Sequence, residues 1–146
     1  MTVHELTRLS AREAVRLLHA GEVSPLELID AALARMDAVD PIVNAVPTRC
    51  PDRAREHARR IMDCTAPSGR LGGLPVLVKD LVEVAGVRTT HGSPIFADWV
   101  PEHSDLQVER MEAAGGIVLG KTNTPEFGAG ANTFNEVFGP TRNPWD

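Results

Sequence analysis

Lys79 ends a short apolar segment, and it is the residue of this sequence best placed to do chemistry. Gly72-Gly73-Leu74-Pro75 leads into Val76-Leu77-Val78, and Lys79-Asp80 follows. Such a run is typical of a strand buried on both faces in a parallel sheet. In one interpretation Lys79 ends the strand and extends its ammonium into solvent beside Asp80. In the other, a dry site holds Lys79 as a neutral amine, because burial lowers a lysine pKa by roughly 3–5 units and gives a usable general base.

Composition and charge exclude several classes of protein. The 146 residues suffice for one domain, and 42% apolar with 24% charged residues is typical of a folded chain. The net charge of −5 argues against a surface for nucleic acid or for anionic membranes. No apolar segment approaches the ~18 residues that span a bilayer, and the N-terminus lacks a signal-peptide pattern. Cys50 and Cys64 are too few for a disulfide framework, so we expect a cytoplasmic protein.

The first part of the sequence predicts packed helices. Ser10 caps a first helix, which Gly21 is expected to end. Ser24 and Glu27 form a capping pattern for a second helix, and Asp40-Pro41 is expected to stop it. Glu13, three residues after Ser10, and Glu27 are therefore expected to serve as helix caps, not as a catalytic carboxylate pair.

Residues 42–46 predict a short strand, and a third helix is expected from Pro51 to Cys64. Cys50, His57 and Cys64 lie seven residues apart, on nearly one face of that helix. Their spacing corresponds to roughly 10 Å along the axis, too far for one ion to be shared. We therefore expect no metal site there.

The second part of the sequence predicts a strand, a helix and a second strand. The segment before Lys79 is the first strand. Ser104 and Asp105 open the helix, whose expected apolar side is Leu106, Val108, Met111 and Ala114. Ile117-Val118-Leu119 is the second strand. Such a unit pairs two parallel strands. Thr124-Pro125 predicts a further helix start.

A second motif lies at residues 115–122, which match the phosphate-loop pattern G-x-x-x-x-G-K-[ST]. That motif requires a flexible loop that follows a strand and opens a helix. Here a helix precedes the glycines, and the Ile-Val-Leu centre favours a strand. Nucleotide binding at Lys121 is therefore a minor alternative. His91 and His103 lie in turn or cap surroundings without a nucleophile elbow.

Several ordered blocks together resemble the N-terminal third of amidase signature enzymes. The blocks read GGLPVLVKD at 72–80, TTHGS at 89–93, GGIVLGKTNTP at 115–125, EFG at 126–128 and FGPTRNPWD at 138–146. Members of this family are cytoplasmic hydrolases that cleave carboxamides to a carboxylate and ammonia or an amine. The resemblance implies an α/β fold with a mixed sheet covered by helices on both faces. Residues 1–146 would form a partial amidase domain, mainly helical over 1–64 and starting the α/β core over 65–146.

The resemblance also implies a Ser–cis-Ser–Lys triad, whose lysine falls on Lys79. A neutral lysine takes a proton from the bridging serine, which takes one from the nucleophilic serine, and backbone N–H groups hold the oxyanion. The family segment that matches residues 127–130 lines the substrate pocket, so Gly128 is a candidate substrate-binding position. The implied partner is a small amide, with no cofactor, metal, nucleic acid or membrane. A homodimer is one form open to the full-length protein.

The sequence stops at Asp146, just short of the Gly/Ser-rich loop that carries the bridging serine in the family. Loss of the nucleophile alone costs roughly 10⁶ in turnover in a comparable serine triad, so we expect these 146 residues alone to be inactive. We also expect an open sheet edge. The alternatives are a non-catalytic remnant or interaction module, and an A-type subunit of a tRNA-dependent amidotransferase, which shares these blocks.

Overall fold

A three-stranded mixed sheet lies at the centre of the computed structural model, which describes residues 1–66 and 68–145. Its strands are β1 (Thr48–Arg49), β2 (Pro75–Lys79) and β3 (Ile117–Thr122). β3 lies in the middle, antiparallel to β1 and parallel to β2. The predicted parallel pair is confirmed, and within the described residues β2 is an edge strand.

The described residues form five α-helices. They are α1 (Val3–Leu6), α2 (Ala11–Ala20), α3 (Pro25–Val43), α4 (Pro51–Met62) and α5 (Leu106–Ala113). Ser10 caps α2 and Gly21 ends it, as predicted, and Ser24 and Glu27 form a complete capping box at α3. α4 ends two residues before the predicted Cys64. None of these helices is long and apolar enough to cross a membrane.

The prediction that Pro41 stops the second helix is wrong, because α3 continues through it to Val43. Proline removes one N–H donor from a helix, here the one that would bond the carbonyl of Asp37. Asp37 is exposed, so water can satisfy that carbonyl. The last turn therefore forms despite the proline.

The predicted strand at 42–46 is also wrong. Asn44 ends α3 in the left-handed conformation, and the Asp40 carboxylate accepts hydrogen bonds from the N–H groups of Ala45 and Val46. These bonds satisfy the backbone without a partner strand. Only the two-residue β1 follows.

Ser104 and Asp105 precede α5 as predicted, but their side chains do not cap it. Ser104 Oγ accepts from the N–H of Ala85, and the Asp105 carboxylate accepts from the N–H of Glu83. They tie the loop after β2 to the start of α5. Leu106 is 60% exposed, so it does not belong to the apolar side of the helix. The predicted helix at Thr124-Pro125 is only a 3-10 turn, Glu126–Gly128.

A register shift between β2 and β3 decides which face each side chain lies on. Val76 pairs with Val118, but Leu77 pairs with Gly120, so Leu119 is an extra residue in β3. A bulge of this kind resets the alternation of the strand that carries it. As a result Val78 and Lys121 are partners and share one face.

Helices cover both faces of the sheet. On one face Ile117 and Leu119 pack against buried residues of α3 and α4. On the other face Val118 packs with Val108 of α5 and with Val78. The expected mixed α/β architecture is therefore present. The division of the domain between residues 64 and 65 stays a prediction. β1 lies before that point and β3 after it, and the two strands pair in one sheet.

An ion pair between α4 and α5 makes stability depend on pH. Arg53 donates to both carboxylate oxygens of Glu112, at 2.7 and 3.1 Å, and His57 Nδ1 lies 3.6 Å from the same group. Burial opposes the charged carboxylate, but the hydrogen bonds from His57 and Arg53 outweigh it and lower the pKa of Glu112 to about 2. This stabilisation is therefore complete above the ordinary glutamate pKa of about 4.5 and is lost as the pH falls toward 2.

Glu112→Gln is expected to lower the free energy of unfolding at pH 7 by roughly 1–2 kcal/mol, since the pair is partly solvated. Near pH 2.5 the two proteins should differ much less. Urea unfolding of both proteins at the two pH values measures the difference. An equal loss at pH 2.5 and pH 7 would contradict this assignment.

Candidate functional site

Lys79 is the last residue of β2, and its side chain is exposed. The prediction that its strand is buried on both faces is wrong, because β2 lies at the sheet edge and Leu77 is 39% exposed. The Lys79 carbonyl accepts the N–H of Val82, which closes a turn directly after the strand. Asp80 is fully buried and binds elsewhere, so it is not the partner of the Lys79 ammonium.

An open groove of about 260 Å³ runs beside Lys79, between β2 and α5. Most of its lining is apolar; besides Lys79 it consists of Leu77, Val78, Val82, Gln107, Val108 and Met111. The groove lies on the face of the sheet that carries Val78 and Val108, whereas the Lys79 side chain lies on the opposite face, so Lys79 lines the groove from the strand edge.

Gly128 lies against the Lys79 side chain. A Cβ built on Gly128 would stand 3.7 Å from Lys79 Nζ and 2.7 Å from Leu81 Cδ2. The backbone of Gly128 has a φ of +73°, in the left-handed region that favours glycine. The structure thus brings together Lys79 and Gly128, the two residues that the sequence nominated.

Two loops hold Gly128 in this place. The N–H of Phe127 donates to the carbonyl of His91 at 2.7 Å, and Ser93 Oγ donates to Glu126 at 2.7 Å. His91 and Phe127 both have positive φ values, 52° and 51°, which are uncommon for residues with side chains. Strained backbone of this kind persists where the surroundings over-determine it, and it clusters at functional sites.

A buried polar cluster lies on the opposite face of the sheet. Lys121 Nζ is 3.2 Å from Asp80 Oδ1 and donates to Thr89 Oγ1 at 2.6 Å. Asp80 also accepts hydrogen bonds from the N–H and the hydroxyl of Thr90. All four residues have zero exposure. Burial lowers the pKa of Lys121, and the Asp80 carboxylate offsets part of that effect by favouring the ammonium.

Sequence reasoning considered Lys121 only as part of a phosphate loop, and the structure rules that role out. Ile117 to Thr122 is a strand instead of a loop, and Lys121 Nζ is enclosed by Asp80 and Thr89. One signal could have found the cluster. Lys79 and Lys121 are the only lysines in the sequence, and each lies near the end of an apolar strand.

The described residues contain no group of three or more His, Cys, Asp or Glu side chains that could hold a metal ion. Cys50 lies just before α4 and Cys64 just after it. Both cysteines are free, and burial raises the pKa of the Cys50 thiol.

Comparison with known proteins identifies the family. The Amidase family model matches residues 27–146. This chain belongs to the amidase signature family. The predicted resemblance is thereby confirmed, although Asp146, the last residue of its final block, lies outside the described residues.

Relatives of this amidase-family chain include amide hydrolases and one component of a tRNA amidotransferase. The A-type subunit of the glutamyl-tRNA(Gln) amidotransferase from Salinispora tropica is 44% identical over 145 residues, which cover 97% of this chain and 30% of the relative. The solved 6-aminohexanoate cyclic dimer hydrolase is 36% identical with a TM-score of 0.84, covering 94% of this chain and 28% of the hydrolase. A bacterial aryl acylamidase of the amidase signature family is 35% identical with a TM-score of 0.83, covering 94% and 30%. The chain thus spans about 30% of the length of the curated relatives it matches.

Proposed function

We propose that this chain supplies the general base of an enzyme that hydrolyses a carboxamide C–N bond. The observation that supports the proposal is the placement of Lys79 at the carboxyl end of a strand, beside an apolar groove and against Gly128. Ligands of α/β sheets bind beyond the carboxyl ends of parallel strands. A small amide bound beyond that strand end, against Gly128, would carry its carbonyl toward the Lys79 amine.

The proposed mechanism uses Lys79 as a neutral amine. Lys79 accepts a proton from the bridging serine, which accepts one from the nucleophilic serine as that oxygen attacks the amide carbonyl. The C–N bond then breaks, the leaving amine takes up the proton, and water releases the carboxylate from the acyl-serine. We place both serines in polypeptide beyond these residues.

The test uses the native polypeptide that carries this sequence. Ammonia release from benzamide and 4-nitroaniline release from 4-nitroacetanilide report hydrolysis of a primary and an anilide amide. We expect turnover of at least one of these probes. Absence of turnover with both probes, and with L-glutamine in the presence and absence of glutamyl-tRNA and further amidotransferase subunits, would overturn the proposal.

A second candidate is the A-type subunit of a glutamyl-tRNA(Gln) amidotransferase. The 44% identity to the relative from Salinispora tropica favours it. Such a subunit would use the same base to release ammonia from L-glutamine for transfer to glutamyl-tRNA. Ammonia release from L-glutamine that depends on glutamyl-tRNA and further subunits, without hydrolysis of simple amides, would favour this candidate over a free-standing amidase.

Gly128 provides a separate test of the substrate pocket. We propose that it borders the bound amide, and we expect Gly128→Ala to lower kcat/KM by roughly 10- to 100-fold, a range set by misplacement of reacting groups. The new Cβ would press on Leu81 beside Lys79 Nζ.

Gly86→Ala is the matched control for Gly128→Ala. Gly86 has a similar φ of +71°, but a Cβ there meets nothing within 4 Å. Both variants place a side chain in the left-handed region at a cost of about 1–2 kcal/mol, and only Gly128→Ala changes the pocket. Equal kcat/KM values in the two variants would remove Gly128 from the proposed site.

We further propose a small-molecule amide as the substrate and a cytoplasmic location. The free thiols of Cys50 and Cys64 support a reducing compartment. The homodimeric form stays a prediction.

A further inference from the structure

We propose that Asp80 and Lys121 are positioning residues that hold Lys79 in place from the opposite face of the sheet. This inference rests on the proposed function, in which Lys79 is the base. It assigns a role to the buried cluster of Lys121, Asp80, Thr89 and Thr90, which the proposed mechanism does not otherwise use.

Asp80 is fixed at both its backbone and its side chain. Its N–H donates to the carbonyl of Thr122 at 2.9 Å, which extends the pairing of β2 with β3 by one residue. Its carboxylate accepts the N–H of Thr90 at 3.1 Å, the hydroxyl of Thr90, and the ammonium of Lys121 at 3.2 Å. Hydrogen bonds with a charged partner in a fully buried site are strong and directional. The orientation of Asp80 is therefore rigidly defined.

The orientation of Lys79 follows from that of its neighbour. Successive side chains in a strand point to opposite faces, so a fixed Asp80 directs the Cα–Cβ bond of Lys79 toward the other face. The hydrogen bond from Val82 N–H to the Lys79 carbonyl restrains the same peptide from the other side. On that face the ammonium reaches Gly128.

The register shift at Leu119 is what makes this arrangement possible. Because Val78 pairs with Lys121, Lys121 lies on the face of Val78, which is also the face of Asp80 two residues later. Without the extra residue, Lys121 would lie on the face of Lys79. The bulge thus separates the two lysines to opposite faces of the sheet.

A contribution to folding stability does not by itself explain the buried Asp80–Lys121 ion pair. Replacing a buried ion pair by apolar residues of similar volume is often neutral or stabilising. The pair instead supplies directional bonds on the residue next to Lys79. A positioning residue should affect kcat more than KM, since it acts on the geometry of the reacting amine.

The test compares four proteins made as the native polypeptide: wild type, Lys79→Ala, the double variant Asp80→Asn/Lys121→Met, and Leu17→Ala. The double variant removes both buried charges together, so the chain keeps no unpaired ion. Leu17 is 5% exposed in the cluster around α2, away from Lys79, and its truncation is the stability control. The measurements are kcat and KM with 4-nitroacetanilide or benzamide, whichever is the better substrate, together with thermal unfolding.

We expect the double variant to lose roughly 10- to 100-fold in kcat, with KM changed less than about twofold. Leu17→Ala should keep its kcat at a temperature where it is folded. A double variant with wild-type kcat, alongside an inactive Lys79→Ala, would overturn the positioning role and leave Lys79 as the base. Activity that survives in Lys79→Ala would overturn the base and the positioning role together.

Thr89→Val covers the case in which the double variant does not fold. It removes the hydroxyl that accepts the Lys121 hydrogen bond and donates to the Val87 carbonyl, and it leaves the ion pair in place. A several-fold fall in kcat at constant KM would support the proposal, and a wild-type kcat would overturn it.

Discussion

Replacing Lys79 by alanine is expected to reduce amide hydrolysis by roughly 10⁴- to 10⁶-fold, the range seen when one member of a catalytic serine triad is removed. Without the amine nothing accepts the proton of the bridging serine, so the nucleophile stays a neutral hydroxyl. The fold should survive, because the Lys79 side chain is exposed at the end of an edge strand. Steady-state turnover and thermal unfolding of the native polypeptide measure the two effects.

Lys79→Arg is the matched control, because it keeps a long basic side chain at this position. A guanidinium stays protonated in proteins and cannot act as the base. We therefore expect it to be as inactive as Lys79→Ala. If Lys79→Arg restored activity, the residue would act as a fixed cation, for example on a substrate carboxylate, and the proposed base would be wrong.

Local patterns in the sequence predicted much of the scaffold around Lys79. Ser24 and Glu27 signal a helix start through contacts three residues apart, and the Ile117 strand is a continuous apolar run. Signals of this kind depend on near neighbours in the chain and survive folding unchanged. The resemblance to amidase signature enzymes then selected Lys79 and Gly128, which do lie side by side.

Other features depend on partners far away in the chain, so the sequence alone could not reveal them. The apolar run before Lys79 does not indicate whether β2 is central or at an edge. The extra residue Leu119 exists only relative to the pairing with β2. Pro41 predicts the end of a helix, yet Asp37 lies at an exposed position and Asp40 accepts hydrogen bonds beyond the helix, so the helix continues to Val43.

The buried ion pair of Asp80 and Lys121 is the clearest example of a feature that the sequence alone could not reveal. Asp80 and Lys121 are 41 residues apart, and each sits in a motif with another plausible interpretation. The sequence pattern places Asp80 beside the Lys79 ammonium, and it places Lys121 in a phosphate-loop motif. Only the register of two parallel strands brings them together, and register is set by tertiary packing.

Lys121→Met is therefore expected to lower the free energy of unfolding by about 3–5 kcal/mol, because the Asp80 carboxylate would be left buried without its counter-ion. Adding Asp80→Asn should recover much of that loss, since the second change removes the orphaned charge. Urea unfolding of the wild type, both single variants and the double variant gives the coupling free energy. Residues this close should not behave additively. Strictly additive losses of unfolding free energy would mean that Asp80 and Lys121 do not form a pair in solution. The proposal that they position Lys79 would then be wrong as well.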